Sequence, residues 1–301
     1  MYVVTGASGW MGISTLLYLR DELGADLESE VLCFSSVDKT IVLPDGAKVE
    51  SIALESAPKY AGVYEGIFHY AFLTRDYVKK YGQAAYINAN QAILSKMDDF
   101  LGQSSYKWTA SVSSGAVFDS PNGNLASDVE INPYGYLKLE EEKLLLLRAQ
   151  ECGAASVVGR LWGCTGSTMP VDSKYAISDF ILQGLRSREI KVTSDHEVWR
   201  RYIDAQDFIR ILHSAATEGT SITMDSAGTL IELGELAHKI AEQLGVGVLR
   251  PNFDANKKGD FYYPDGLVMQ GISERLNVSI QSIEEQIGAT IKGHRRQLAQ
   301  R

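Results

Sequence analysis

Hydrophobic positions fall into short strand-like runs separated by longer segments of helical period. Residues 1–5 and 30–34 are apolar and β-prone, 48–54 alternates apolar with polar, and 66–71 and 107–112 are again apolar runs of strand length. Residues 13–19 and 84–101 carry helical spacing, and a helix reads from Tyr134 through residue 151, stopping near Gly153. A further strand follows at 155–161. Strands and helices therefore alternate through residue 161, which predicts an α/β fold built on a parallel, doubly wound sheet of Rossmann type. Beyond it, 235–244 and 282–292 read as amphipathic helices of a smaller α/β C-terminal part.

Composition narrows the partners. The 301 residues suffice for one large domain or two coupled ones, and 45% hydrophobic with 22% charged residues is ordinary for a globular chain. A net charge of −9 argues against a nucleic-acid partner. Cys33, Cys152 and Cys164 are odd in number and widely spaced, which fits reduced thiols and neither a disulfide framework nor a metal site. No apolar run approaches the length of a membrane span, and the first residues run straight into a strand, leaving no room for a signal peptide. The expectation is a cytoplasmic protein without a metal or a membrane segment.

Candidate chemistry lies at the ends of the predicted strands. Strand 1–5 enters Gly6-Ala7-Ser8-Gly9-Trp10-Met11-Gly12 and then a helix. A strand, a glycine-rich turn and a helix N-terminus are what a dinucleotide pyrophosphate needs: close backbone approach, free N–H donors and a positive dipole end. The spacing is Gly-x-x-Gly-x-x-Gly, and a ligand-free turn is the alternative. The second strand ends in Ser35-Ser36, followed by Val37-Asp38-Lys39, with no acid at the end itself to hold a ribose 2′-hydroxyl. That favours NADP over NAD modestly, a plain polar turn being the alternative. His69 lies inside an apolar strand and reads as a packed histidine. Ser114 closes the strand at 107–112, where a substrate oxygen can meet it. Tyr134 and Lys138 share a helix face one turn apart, so the ammonium can favour the phenolate and make the tyrosine a proton carrier.

Taken together, these stretches resemble the extended short-chain dehydrogenase/reductase family, of the NAD-dependent epimerase/dehydratase type that modifies nucleotide sugars. Val4-Thr5-Gly6-Ala7-Ser8-Gly9-Trp10-Met11-Gly12 is similar to its cofactor turn, Ser113-Ser114-Gly115-Ala116-Val117-Phe118 to its catalytic Ser/Thr strand end, and Pro133-Tyr134-Gly135-Tyr136-Leu137-Lys138 to its catalytic helix. Arg200-Arg201-Tyr202-Ile203-Asp204-Ala205-Gln206-Asp207 resembles a segment of its substrate domain, and residues 272–287 its helix-rich tail. The resemblance implies a catalytic set of Ser114, Tyr134 and Lys138. It implies cofactor contacts from Gly6, Ser8, Gly9, Trp10, Met11, Gly12, Ser35, Ser36, Tyr134 and Lys138, and substrate contacts from Ser114, Arg200 and Lys257. Arg200 would pair with a nucleoside diphosphate, a solvated charge being the alternative; Lys257 stands where the family has Arg. Asp207 reads as a helix-orienting residue, and Lys174, Tyr175, Arg186 and Arg188 as a solvated face.

The departures are informative. Dehydratases of the family carry Asp-Glu after the catalytic Thr; Gly115-Ala116 stands there, which argues against 4,6-dehydration. The segment Arg160-Leu161-Trp162-Gly163-Cys164-Thr165 lacks the family's Asn, Tyr and Pro. The leading expectation is an NAD(P)-dependent nucleotide-sugar epimerase acting at a ring carbon, C4 first. An NADPH-dependent ketoreductase or dehydrogenase of a nucleotide sugar is second, and a non-catalytic dinucleotide-binding sensor third. The domain expectation is a dinucleotide-binding domain at 1–165 and a substrate part at 166–301, with segments near 192 and 203–217 returning to the main sheet. A homodimer through the Tyr–Lys helix is compatible with Leu144-Leu145-Leu146-Leu147, which suits an interface or the core equally.

Overall fold

Strand β1 (Tyr2–Thr5) is an inner strand of the large sheet of the structure, a computed structural model that describes residues 1–119 and 123–300. Helix α1 (Trp10–Asp21) carries the chain to β2 (Val31–Ser35), which pairs parallel with β1 in the register Thr5 to Phe34. An antiparallel hairpin of β3 (Lys39–Val42) and β4 (Lys48–Ala53) forms that edge, with β4 parallel to β2. The chain then crosses β5 (Val63–Tyr64) and adds β6 (Gly66–His69) to the other side of β1, with Thr5 opposite His69. Strands are added to one side of β1 and then, from β6, to the other, and this switch in strand order opens the crevice where ligands bind in such sheets. Helices α2 (Asp76–Tyr81) and α3 (Gln83–Gly102) and strand β7 (Ser105–Tyr106) lead to β8 (Trp108–Ser114). Helix α4 (Pro133–Cys152) and β9 (Ala155–Leu161) follow, β9 pairing parallel with β8 over its whole length.

The rest of the chain supplies β10 (Cys164–Thr165), α5 (Ala176–Arg186), β11 (Glu189–Lys191), β12 (Val198–Asp204), α6 (Ala205–Thr217) and β13 (Ile222–Asp225). After these come β14 (Thr229–Glu232), α7 (Leu233–Leu244), β15 (Gly247–Leu249), β16 (Asp260–Tyr262), α8 (Leu267–Arg275) and α9 (Ile283–Ala299). The large sheet has the order β13-β9-β8-β6-β1-β2-β4-β3. Contacts divide the chain into two units, Met1–Leu161 with Ile209–Met224, and Trp162–Phe208 with Asp225–Arg301. One expectation needs correction. The segment near 192 does not return to the main sheet: β11 pairs with β15, because Ile190 is buried there while its neighbours face solvent. Residues 203–217 end β12 and form α6, whose part from Ile209 onward belongs to the first unit together with β13, the strand that joins the large sheet. Among the described residues no helix is long and apolar enough to cross a membrane.

Both faces of the large sheet are covered, as a parallel sheet requires. Val3, Phe34, Ile67, Met97, Phe100 and Leu145 pack together on one side. On the other, the Trp108 ring meets those of Phe68 at 5.0 Å and His213 at 5.2 Å. The Tyr18 hydroxyl pairs with His213 Nδ1 at 2.8 Å. Burial lowers the His213 pKa to about 4, and burial likewise lowers that of His294, beside Ser178 in the second unit, to about 4. Both imidazoles are neutral in the folded chain above that value. An unfolded histidine takes up its proton near pH 6.5, so their contribution to stability is full above pH 6.5 and is lost as the pH falls towards 4. The unfolding free energy therefore decreases by about 2 kcal/mol per histidine between pH 7 and pH 4.5. Urea unfolding across that range checks this, and a flat profile contradicts it.

Candidate active site

The turn after β1 is shaped for close backbone approach. Gly6 has φ +65°, and a Cβ there would lie 2.7 Å from the Tyr70 carbonyl carbon. A Cβ on Gly12 would lie 2.4 Å from the Gly6 oxygen, so this glycine lets α1 pack on the turn. Gly9 caps α1, directing the first helical N–H groups to the turn. Gly6, Ser8, Gly9, Ser35 and Ser36 line a cavity of about 530 Å³ with Tyr70, Phe72, Glu55 and Lys96. A bare glycine edge at a helix N-terminus beside a cavity of this size fits a dinucleotide. Trp10 and Met11 open α1 half-buried, outside this lining, and Gly12 is buried behind it. Ser35 is buried and its hydroxyl accepts from Ser51 at 2.7 Å, whereas Ser36 is exposed. Lys39 does not line the cavity; the cation there is Lys96, paired with Glu55 at 2.9 Å.

Ser114, Tyr134 and Lys138 come from two elements joined by one side chain. Asn132 caps α4: its Oδ1 accepts from the Gly135 N–H and its Nδ2 donates to the Ala116 carbonyl, both at 2.9 Å. The turn after Ser114 is thereby tied to the first turn of α4. Ser114 Oγ accepts from the Ala116 N–H at 3.2 Å and closes that turn from within. Tyr134 is half-buried; its ring meets Phe72 edge-on at 5.8 Å and carries the Arg75 guanidinium at 5.6 Å. Lys138 is buried, with Nζ 3.9 Å from the Phe72 ring centroid and donating to the Val112 carbonyl at 2.9 Å. Phe72 thus links the dinucleotide cavity to Tyr134 and Lys138. Glu142, further along α4, accepts from Arg160 Nε at 2.9 Å and from Arg160 Nη2 at 2.7 Å.

In the second unit a separate cavity of about 270 Å³ is lined by Trp162, Lys174, Tyr175, Arg200, Tyr202 and Tyr262. Arg200 on β12 donates to Asp260 Oδ2 at 2.7 Å, and β16 lies parallel to β12, which joins the two predicted substrate segments. Lys257 is elsewhere: exposed, it pairs with Asp195 at 2.5 Å, and hydrogen bonds from Lys257 and His196 hold the Asp195 carboxyl down at about 2. Asp207 sits in the first turn of α6 and accepts from the Gln281 N–H at 2.8 Å, orienting that helix start.

The NAD dependent epimerase/dehydratase family matches residues 2–224. The chain belongs to this family of extended short-chain dehydrogenase/reductase enzymes. Among solved structures it is similar to MoeE5 in complex with UDP-glucose and NAD, at 21% identity over 99% of both chains with a TM-score of 0.75. It is also similar to a UDP-N-acetylglucosamine 4-epimerase from Methanobrevibacter ruminantium M1, at 20% identity over 98% of both chains with a TM-score of 0.76. A UDP-glucose 4-epimerase from Thermotoga maritima shares 21% identity over 99% of both chains with a TM-score of 0.72. Among curated proteins, none matches the sequence.

Within this member of the epimerase/dehydratase family, several site features escape sequence reading. Asn132, Phe72, Lys96 and Glu141 carry no motif of their own. Glu141 had one signal: with Lys138 and Leu145 it keeps the three-and-four spacing of the buried stripe of α4. Lys174 and Tyr175, read as a solvated face, line the second-unit cavity, whereas Arg186 and Arg188 are exposed. Gly135 is needed for close approach, since a Cβ there would lie 2.1 Å from the Ala116 oxygen. Gly135→Ala should therefore destabilise the protein by about 1–3 kcal/mol through overpacking. Urea unfolding measures this, and wild-type stability would contradict the tight junction.

Proposed function

We propose that the protein is an NAD(P)-dependent nucleotide-sugar epimerase that works at a ring carbon, C4, through Ser114, Tyr134 and Lys138. The observation that carries the reading is the Asn132 tie, which places the turn after Ser114 at the first turn of the helix bearing Tyr134 and Lys138. Gly6, Ser8, Gly9 and Ser36 would hold the cofactor beside Phe72. When bound, NAD(P) supplies the exchange of hydride with the sugar carbon. Tyr134 takes the proton from the hydroxyl on that carbon and later returns one. The Lys138 ammonium favours the phenolate form, and Ser114 hydrogen-bonds the same oxygen. Arg200 and Lys174 pair with the substrate diphosphate, a task suited to charge-assisted hydrogen bonds. The UDP-sugar 4-epimerases of similar fold support this substrate class and this carbon.

A second reading, an NADPH-dependent ketoreductase, is favoured by the β2 end, where Ser35 and Ser36 leave the strand terminus without a carboxylate. The same feature inclines the cofactor towards NADP. A homodimer through α4 uses the outer side of its leucine run, where Leu147 is exposed while Leu145 is fully buried.

The decisive variant is Tyr134→Phe. Assayed by NMR on UDP-glucose, UDP-N-acetylglucosamine and UDP-glucuronic acid, the wild type should invert one of them, and Tyr134→Phe should lower that rate by about 10³-fold while cofactor binding persists. Turnover retained by Tyr134→Phe would contradict the assigned roles.

A further inference from the structure

A line of buried polar groups runs beneath the Tyr134–Lys138 face. The Lys138 ammonium donates to Glu141 Oε2 at 2.6 Å. Glu141 Oε1 lies 3.0 Å from His69 Nε2, and His69 Nδ1 lies 2.7 Å from Thr5 Oγ1. Thr5 Oγ1 also accepts from the Tyr70 N–H at 3.2 Å and the Ala71 N–H at 3.3 Å. The residues are sealed from water: Thr5 and His69 are 0% exposed, Glu141 1% and Lys138 5%. Burial alone would push the Glu141 carboxyl up, but the Lys138 charge and the adjacent His69 ring outweigh it and hold the carboxyl below its ordinary range.

The position of Glu141 is costly unless it does something. Packing needs only an apolar side chain on this stripe, and an isolated buried carboxylate would be strongly destabilising. Glu142 already serves Arg160, so the acidic run supplies two separate buried pairs rather than one solvated face. The ammonium of Lys138 has three donors, of which Glu141 and Val112 take two.

We propose that Glu141 is a positioning residue for Lys138, resting on the proposed roles of Lys138 and Tyr134: it holds the ammonium at the Val112 carbonyl and offsets the positive charge that Lys138 presents to Tyr134, with His69 and Thr5 fixing its outer oxygen. The arrangement leaves the third ammonium donor for a ligand hydroxyl and moderates how strongly the phenolate is favoured. His69, read from sequence as a packed histidine, becomes the residue that sets the direction of the carboxylate.

Other charged or titratable neighbours among the described residues include Arg75, whose guanidinium lies over the Tyr134 ring, and Tyr86 on α3. Burial pushes the Tyr86 phenol up, so it stays neutral in the range where Tyr134 is read. The test needs no substrate, which separates its failure from failure of the functional reading. Phenolate absorbance is titrated in the protein and in Tyr134→Phe, and the difference isolates Tyr134 from the other tyrosines. Repeating the pair with Glu141→Gln should lower the Tyr134 midpoint by about one unit, because the Lys138 charge is no longer offset. His69→Gln keeps the Lys138–Glu141 pair but frees its outer oxygen, and should give a smaller shift in the same direction. Thermal melts confirm which variants fold. A structural Glu141 would change the melt and leave the midpoint in place. An unmoved or raised midpoint in a folded Glu141→Gln, or an unmoved one in His69→Gln where only that variant folds, overturns the proposal.

Discussion

The candidate site depends on one junction, the contact between the turn after β8 and the first turn of α4. Neither element alone brings a hydroxyl, a phenol and an ammonium together. The sheet delivers Ser114 to its C-terminal edge, and the helix delivers Tyr134 and Lys138 on one face. Asn132 fastens the two with one accepting and one donating bond, and Gly135 removes the atom that would hold them apart. Phe72 extends the same junction to the dinucleotide cavity, through its edge-on contact with Tyr134 and its face beneath Lys138. A polar cap, a missing side chain and an aromatic ring thus set the geometry that the proposed chemistry uses.

Burial makes charge placement in this unit selective. Lys138, Glu141, Glu142 and Arg160 lie on or against one helix at low exposure, and each finds an opposite partner. Buried pairs of this kind rarely add net stability over well-packed apolar residues, because desolvation offsets their attraction. Their presence on α4 is therefore better understood as orientation of Lys138 and of the β9 end than as reinforcement of the core. In the second unit the Arg200–Asp260 pair is more exposed, with Arg200 lining a cavity.

Much of the fold was legible because strands and helices in a doubly wound sheet differ in period. The largely buried β1 and β6 appear as mostly apolar runs, and α3 and α4 as long helical segments after them. Contributions fixed by tertiary contact were not legible. The β3–β4 hairpin is short and half-polar, and the strand at Glu189–Lys191 carries no mark of whether it joins the large sheet or β15. At the site, Gly6, Gly9 and the Tyr134–Lys138 spacing could be read locally because each needs a special backbone or a single helical turn. Asn132, Glu141 and Lys96 could not, since their meaning lies in partners 16, 72 and 41 residues away at Ala116, His69 and Glu55. Lys257 shows the converse: motif position suggested a substrate contact, whereas the structure pairs it with Asp195.

The central claim is that the glycine turn and the Tyr134–Lys138 face serve a nicotinamide dinucleotide. The most direct measurement is mass spectrometry of small molecules released from freshly purified protein, followed by titration of the emptied protein with NAD(H) and NADP(H). A nicotinamide dinucleotide should be either released or bound on titration. Retained NAD would fit a recycling epimerase, and much tighter NADPH binding would fit the hydroxyl-lined end of β2. Absence of any dinucleotide, with no binding of either cofactor, would contradict the account.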